Sequence, residues 1–366
     1  MAQLGTTIAG QPTLTAIHEL IARDGTATLF VSGGGSLYSY NGTSYTSVRT
    51  GIDTTNALQS VQMGNRLIFT NGVDRVFWTS NGTTFEDLFP IIEQGDTTGG
   101  TIATQLQDTD VGNWLTAREV TVNDLVYNRT KSAYGIITAV ATATLTHTTI
   151  GSAATGIGLT TVGNQVVGDR YEIHDMVALN ILATDGQDDN VGTLTSGAST
   201  VLVAVSGVNF ATTDARAGDF VYNSTRAAVT RVTSVSANLV VTTVAGQTSG
   251  DSVVFLKSAV PVATRLHVHY DRLYAIDQRD RRQVRVSGPL DPTNWTTDAG
   301  TIDSSTLNTG SFQPQGDIIL ALDSFQRFLA LFGRQNAYYF EGTDPIATTA
   351  AATVSFSPIG LFPQGL

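Results

Sequence analysis

Two histidines and an aspartate in the last third of the sequence are residue types that can bind a metal ion. His267 and His269 are separated by one residue, so a strand would place both imidazoles on one face, and Asp271 follows two residues later. Two imidazoles and one carboxylate are a ligand set that transition metals such as zinc accept. The alternative is an exposed polar face of a strand. We predict no metal and no cofactor, and keep these three residues as metal candidates.

A cluster of arginines lies a few residues further along the chain. Its four members are Arg279, Arg281, Arg282 and Arg285. Asp277 and Asp280 are interleaved with them, so one interpretation is a hairpin turn whose surface charges neutralise each other. The other interpretations are a contact between subunits and a contact with DNA, because a ring of subunits would repeat each arginine around its axis. We predict that these arginines are subunit-contact or channel residues.

Two further segments look like ligand-binding loops but lack the residues that such loops need. Residues 185–190 form an acidic, oxygen-rich turn without the spacing and the final glutamate of an EF-hand. Residues 33–36 are rich in glycine, yet no lysine and no helix follow them to bind a phosphate. Both segments are interpreted as turns. No set of residues with paired catalytic roles stands out, so the sequence predicts a protein that is not an enzyme.

The elements that position these residues are hairpins, and four segments share one pattern. An apolar strand, a turn and an aromatic-rich strand follow each other in residues 28–45, 66–85, 272–295 and 327–342. The first two segments contain Asn-Gly between alternating apolar residues, which predicts tight turns with positive φ at both positions. Repeated units of this size are typical of β-propeller blades. A plain β-sandwich is the alternative.

Between the second and third hairpins, residues 94–258 are rich in Thr, Ala, Val and Gly. Within them, residues 122–130 match residues 217–225, and both copies contain Asp-x-Val-Tyr-Asn-x-Thr. The duplication predicts two tandem small β-barrels or sandwiches, in which Val and Tyr enter the core and Asn starts a turn. The predicted fold is therefore all-β, with a β-propeller-like body and two inserted small β domains. The predicted boundaries are 1–93, 94–180, 181–258 and 259–366.

Composition and charge exclude several classes of function and of structural site. Of the 366 residues only 14% are charged, the formal net charge is −11, and Lys131 and Lys257 are the only lysines. Such a chain is not expected to bind nucleic acid directly, although an acidic wall would let DNA slide past. The absence of cysteine excludes disulfides and cysteine-ligated zinc. Residues 1–12 lack the pattern of a signal peptide and no apolar run is long enough to span a membrane, so we expect a protein made in a cytoplasm.

Parts of the hairpin segments carry a family resemblance. Residues 17–42 resemble the first blade of bacteriophage tail proteins of the nozzle type, which are also described as tail tubular protein B-like. Residues 65–72 look like the second blade of these proteins. Residues 272–274 together with 287–295, which end in Asp-Pro-Thr-Asn-Trp, look like a later blade. Nozzle proteins tend to be longer, with further blades than the four hairpins counted in this chain.

The resemblance implies a structural protein of the virion. Such subunits form a ring, usually a homohexamer, below the portal and adaptor, and the ring extends the channel through which genomic DNA leaves. The prediction is therefore a tail protein that helps to retain and release the genome without sequence-specific DNA binding. The alternative is an adsorption protein that binds glycans of the host surface. Aromatic side chains such as Trp114, Tyr127 and Tyr222 could stack on sugars, but packing in a core is the more common use of such side chains. A polysaccharide hydrolase would need a pair of carboxylates in a pocket, and none stands out.

Overall fold

The structure of the chain is a computed structural model. The structure describes residues 8, 10, 12–99, 104–111, 120–147, 151–152, 160–161, 166–178, 191–198, 201–205, 219–225, 228–236, 239–242, 249–258, 260–278, 280–295, 305–308, 318–325, 328–334, 336–341 and 357–360. These residues form strands and turns and contain no helix, which confirms the all-β prediction. Among them there is accordingly no helix long and apolar enough to cross a membrane.

Four antiparallel sheets of four strands flank the centre of the sequence. Sheet 1 contains β1 (Leu14–Ile21), β2 (Ala27–Gly33), β3 (Ser36–Tyr40) and β4 (Tyr45–Thr50). Sheet 2 contains β5 (Gln59–Met63), β6 (Arg66–Thr70), β7 (Phe77–Thr79) and β8 (Glu86–Asp87). Sheet 3 contains β24 (Ala263–His269), β25 (Arg272–Asp277), β26 (Gln283–Val286) and β27 (Ser305–Asn308). Sheet 4 contains β28 (Ile319–Phe325), β29 (Phe328–Gly333), β30 (Asn336–Glu341) and β31 (Ser357–Gly360). In each sheet the strands lie side by side in chain order.

Two further sheets lie between sheets 2 and 3 in the sequence. The first insert contains β9 (Ile91–Asp96), β10 (Gln105–Gln107), β11 (Leu125–Asn128), β12 (Ala133–Val140), β13 (Thr144–His147), β14 (Gly151–Ser152), β15 (Thr160–Thr161) and β16 (Arg170–His174). The second insert contains β17 (Met176–Ala178), β18 (Val191–Ala198), β19 (Val201–Val205), β20 (Phe220–Asn223), β21 (Ala228–Ser236), β22 (Leu239–Thr242) and β23 (Ser252–Ser258). The chain divides into two compact units, residues 1–88 with 260–366 and residues 89–259.

The Asn-Gly turns differ from the predicted two-residue form. The Asn41 side-chain oxygen accepts hydrogen bonds from the backbone N–H groups of Thr43 and Ser44, at 3.0 and 2.8 Å. Asn71 and Asn81 make the same two hydrogen bonds to the second and third residues after them. The glycine after each asparagine has a φ of 92°, 78° or 73°, whereas the asparagines keep negative φ. The prediction of positive φ at both positions was wrong because the asparagine side chain itself closes a wider turn.

In the first unit, each sheet packs face to face on the next sheet along the chain. Apolar side chains of sheets 1 and 2 share a core that includes Leu20, Phe30, Leu37, Leu67, Phe69 and Phe77. Sheets 3 and 4 share a second core that includes Tyr274, Ile276, Val284, Val286, Leu329 and Leu331. The first strands of successive sheets adjoin each other, β1 with β5, β5 with β24 and β24 with β28. Side chains alternate between the two faces of a strand, so each sheet can pack on one neighbour with each face.

The two inserts repeat one strand arrangement. In the first, neighbouring strands run in the order β10-β13-β12-β11-β16-β9, and in the second the order β19-β22-β21-β20-β23 recurs, with β23 also pairing with β17 and β18. The repeated motif occupies β11 and β20, where Val126 and Val221 are buried as predicted. Tyr127 and Tyr222 are half-buried at the edge of a core: Tyr222 packs against the buried cluster that includes Leu125 and Phe220, and Tyr127 stacks on Tyr134 with 4.5 Å between ring centroids.

Candidate functional site

The two metal-candidate histidines meet a serine of the next sheet. His267 Nε2 and His269 Nδ1 lie 2.6 and 2.7 Å from the same hydroxyl, Ser324 Oγ on β28. Asp271 does not join them, because Tyr270 and Asp271 form the two-residue turn between β24 and β25 with φ of 45° and 58°. The described part of the chain contains no group of three His, Cys, Asp or Glu residues that could hold a metal ion. The histidines therefore join sheet 3 to sheet 4.

Burial sets the protonation of these histidines. Burial lowers the pKa of His267, although the negative charge of Asp323 acts in the opposite direction. Burial and the neighbouring His267 together lower the pKa of His269. Neither side chain lies on the exposed polar face that the sequence offered as the alternative, since His267 is half-buried and His269 is buried. A neutral imidazole can donate one hydrogen bond and accept another, which suits a shared hydroxyl.

The same pairing of histidine with serine joins sheets 1 and 2. His18 Nδ1 on β1 lies 2.8 Å from Ser60 Oγ on β5, and the imidazole packs edge-on against Phe69. Burial lowers the pKa of His18 to about 4. Between sheets 2 and 3 the Thr70 hydroxyl donates to the Ala263 carbonyl instead. Each of the three junctions between successive sheets thus contains a buried or half-buried side-chain hydrogen bond.

The arginine cluster is spread over a turn and a strand. Arg281 donates to the Gln278 side chain at 3.2 Å, and Arg282 pairs with Asp280 at 3.0 Å on the exposed surface. Arg285 lies on β26 and is half-buried, opposite Ala275 and Thr306 in the register. The pair of Arg282 with Asp280 fits the interpretation of a turn whose surface charges neutralise each other. The predicted subunit-contact and channel roles stay predictions. Three other sequence predictions, on Arg279, Trp114 and residues 185–190, lie outside the described residues.

A polar cleft in the first insert was not found by sequence reasoning. It has a volume of about 520 Å³ and is lined by Gln94, Gly95, Asp96, Arg129, Arg170, Tyr171 and Glu172. Glu172 lines the cleft and is itself buried. One of its carboxylate oxygens accepts from Arg129 Nε and the other lies 3.0 Å from His174 Nε2. Burial raises the pKa of Glu172, but hydrogen bonds and charge from His174 and Arg129 outweigh it and hold that pKa below its usual value. Glu172 is therefore an ionised, charge-paired carboxylate.

Comparison of the two repeats shows that the fold does not require this charged set. Four equivalent positions of the second insert, identified by the common strand register, carry Ser224, Ser252, Val254 and Leu256 in place of Arg129, Arg170, Glu172 and His174. A signal was present in the sequence, since Gly-Asp-Arg-Tyr-Glu-Ile at residues 168–173 aligns with Gly-Asp-Ser-Val-Val-Phe at residues 250–255. The charges belong to the first copy alone.

A second buried carboxylate, on the turn before β11, contacts the first residue of the second insert. Asp124 accepts hydrogen bonds from the backbone N–H of Thr121 at 2.6 Å and from that of Met176 at 3.2 Å. Burial raises its pKa to about 7, although both backbone hydrogen bonds act in the opposite direction. Apolar side chains of both inserts pack beside it, including Leu125, Ile136, Met176, Phe220 and Leu256. Asp124 thus helps to fix the start of the second insert on the first.

Comparison of the sequence with models of protein families found no matching family, and comparison with curated proteins found no match either.

Proposed function

We propose that this protein is a structural component of a bacteriophage tail. In this proposal several copies, in the resembling family usually six, form a ring below the portal and adaptor and extend the DNA exit channel. The protein acts through its shape and charge and catalyses no reaction. Its place is in the virion after synthesis in the host cytoplasm.

The proposal rests mainly on the repeated sheet arrangement. Four sheets have the same four-stranded order, and their first strands adjoin in the order in which the sheets follow along the chain. This arrangement supports a propeller-like body, in which the first strand of each blade lies nearest the centre. The additional pairing of β23 with β20, beside its pairing with β18, supports a small barrel in the second insert. The assignment to a tail comes from the sequence resemblance to nozzle proteins.

The charge of the chain agrees with a passage for DNA. A net charge of −11 repels phosphate, so DNA would slide through a channel without adhering to its wall. The described arginines of the cluster keep their predicted role as subunit-contact or channel residues, and Arg282 is already paired with an aspartate. Retention and release of the genome would then depend on the width of the channel and on the neighbouring portal and adaptor proteins.

Electron microscopy of intact particles tests this proposal directly. An epitope inserted at the exposed Asn41-Gly42 turn and labelled with gold-conjugated antibody is expected to mark the tail below the portal. The purified chain, alone or mixed with portal and adaptor, is expected to form rings by native mass spectrometry. Label found only on the capsid, or a chain that stays monomeric even with portal and adaptor, would contradict the proposal.

The polar cleft favours a second candidate function, binding of host-surface glycans by the virion. Guanidinium, carboxylate and amide groups line the cleft, and such groups bind pairs of sugar hydroxyls through directional hydrogen bonds. Glycan-array binding by the wild type that is lost in Arg170→Ala, but kept in the equivalent Ser252→Ala of the second insert, would support this function. Equal binding by both variants, or none by the wild type, would exclude the cleft as a glycan site.

A further inference from the structure

The sequence contains three Asn-Gly pairs, at residues 41–42, 71–72 and 81–82, and all three form the same kind of turn. An asparagine that precedes glycine is prone to lose its side-chain amide, because glycine has no side chain to hinder the approach of its backbone nitrogen to the asparagine side chain. The three pairs share this local chemistry. They differ in exposure to water and in the hydrogen bonds of the reacting groups.

The first pair, between β3 and β4, has its reacting groups open to water. Asn41 and Gly42 are both exposed. Among the residues that the structure describes, neither the Asn41 amide nitrogen nor the Gly42 backbone N–H has a hydrogen-bond partner. The Asn41 side-chain oxygen accepts from the backbone N–H groups of Thr43 and Ser44 at 3.0 and 2.8 Å. Negative charge develops on this oxygen when a nitrogen adds to the side-chain carbon, so the two donors stabilise the addition.

The second pair is buried and its amide is held in place. Asn71 is 3% exposed, and its amide nitrogen donates to the Asp74 carboxylate at 2.8 Å and to the Asp53 carbonyl at 3.2 Å. Loss of the amide would break both hydrogen bonds. The new carboxylate at residue 71 would then face the Asp74 carboxylate, and two carboxylates so close together resist ionisation. The fold therefore opposes the reaction at this pair.

The third pair is protected at its glycine. Asn81 is exposed, but Gly82 is buried and its backbone N–H donates to the Thr79 hydroxyl at 2.9 Å. The glycine nitrogen must lose its proton before it can attack, and here that proton is hydrogen-bonded and shielded from water. Exposure of the asparagine alone is therefore not sufficient for the reaction, and only the first pair combines an exposed asparagine with an accessible glycine nitrogen.

We propose that Asn41 is a site of spontaneous covalent modification, at which the side-chain amide is converted to a carboxylate, whereas Asn71 and Asn81 keep their amides in the folded protein. The Gly42 nitrogen loses its proton and bonds to Asn41 Cγ, the Cγ–Nδ2 bond breaks, and the amide leaves as ammonia with that proton. The cyclic succinimide that results is opened by one water molecule. Hydrolysis at one carbonyl gives aspartate, and hydrolysis at the other gives isoaspartate. The inference does not depend on the proposed function.

The two products affect the turn differently. Aspartate keeps an oxygen that accepts from the Thr43 and Ser44 N–H groups, and hydrogen bonds to a charged acceptor are stronger. Isoaspartate carries the backbone through the former side chain, which adds one atom to the main chain between β3 and β4 and removes the side-chain acceptor of the turn. The aspartate form is therefore expected to keep the turn and to add one negative charge at an exposed position.

Peptide mapping by mass spectrometry tests the proposal in the full-length chain. The folded protein is incubated in mildly alkaline buffer, digested at intervals, and each Asn-Gly peptide is followed for the replacement of its amide by a carboxyl group. The reaction is expected to be at least about 10-fold faster at residue 41 than at residue 71 or 81. In concentrated urea the three pairs are expected to react at similar rates, since the fold no longer distinguishes them. Equal rates in the folded chain, or the same order of rates in urea, would overturn the proposal.

Two variants test the groups that the proposal assigns. Gly42→Ala places a methyl group beside the attacking nitrogen and is expected to slow the reaction at residue 41 at least about 10-fold. Thr79→Val removes the hydroxyl that holds the Gly82 N–H and is expected to speed the reaction at residue 81 while leaving residue 41 unchanged. Asn41→Asp is the standard for the mass and charge of the product, and thermal unfolding confirms that each variant is folded. An unchanged rate at residue 41 in Gly42→Ala, or at residue 81 in Thr79→Val, would contradict the proposal.

Discussion

The Asn128 side chain donates a hydrogen bond to the buried carboxylate of Asp169 at 3.0 Å. Asn223 and Asp251 form the equivalent pair of the second insert at 2.9 Å, and they too are buried. In both copies the residue two positions after the asparagine, Thr130 or Thr225, accepts from the backbone N–H that follows the aspartate. The duplicated motif therefore ties β11 to β16 and β20 to β23 at the end of the strand. It therefore has a structural role in both inserts.

Replacement of Asn223 by alanine is expected to lower the free energy of unfolding by about 1–3 kcal/mol, because the buried Asp251 carboxylate loses a hydrogen-bond donor. Urea unfolding followed by circular dichroism measures the change. Ser224→Ala, next to it in the same turn and exposed, is the control and is expected to change stability by less than about 0.5 kcal/mol. Equal effects of the two variants would show that the asparagine–aspartate pair does not stabilise the insert.

Gly72→Ala is expected to destabilise the protein more than Gly42→Ala. Both glycines follow an asparagine in a turn and have positive φ, so either alanine costs about 1 kcal/mol in backbone strain. A Cβ at residue 72 would also lie 3.3 Å from the Thr264 backbone of sheet 3, whereas a Cβ at residue 42 would meet no atom within 4 Å. Thermal unfolding of the two variants side by side gives the comparison. A Gly42→Ala variant that is as unstable as Gly72→Ala would contradict the close approach of sheet 2 to sheet 3.

His18 is expected to make the junction of sheets 1 and 2 sensitive to acid. Its pKa is about 4 in the folded chain against 6.5 in the unfolded chain, so the unfolded state binds more protons between these values. Its contribution is complete above pH 6.5 and falls by about 3 kcal/mol as the pH drops from 6.5 to 4. His18→Gln is expected to reduce the difference in unfolding free energy between pH 7.5 and pH 4.5.

Ser60→Ala is the control for this experiment, because it removes the partner hydroxyl but keeps the imidazole. It is expected to lower stability at both pH values while leaving most of the pH dependence in place. An unchanged difference between pH 7.5 and 4.5 in His18→Gln would show that this histidine is not the group responsible.

Asp124 is expected to lower the stability of the protein at high pH, whereas His18 lowers it at low pH. Its folded pKa of about 7 lies above the unfolded value of 3.8, so its contribution is complete below pH 3.8 and is lost as the pH rises through 7. Asp124→Asn keeps an oxygen for the Met176 N–H but cannot ionise, so the variant is expected to be more stable than the wild type at pH 8 by about 1–4 kcal/mol, and close to it only near pH 3.8. Urea unfolding at the two pH values measures this. Asp110→Asn, at an exposed position of the same insert, should show no such gain; a gain of similar size there would rule out burial of Asp124 as the cause.

Features that depend on neighbours in the sequence were predictable. Alternating apolar residues and glycine-containing turns define hairpins locally, so the four sheets and the all-β fold follow from the pattern around residues 28–45 and its three counterparts. The duplication of residues 122–130 at 217–225 likewise appears as repeated strand pairing. The form of the Asn-Gly turns was missed, because a side-chain hydrogen bond competes with the tight backbone turn and the sequence alone does not rank the two.

Features that depend on distant residues required the tertiary structure. Thr70 bonds to Ala263 across 193 positions of the chain, and His267 and His269 meet Ser324 only because sheet 4 packs on sheet 3. The polar cleft arises because strands β9 and β16 are paired, which brings Asp96 beside Arg170. Strand formation is governed by local alternation and turn chemistry. The choice of which face meets which partner is governed by burial of apolar area between sheets, and that depends on the whole folded chain.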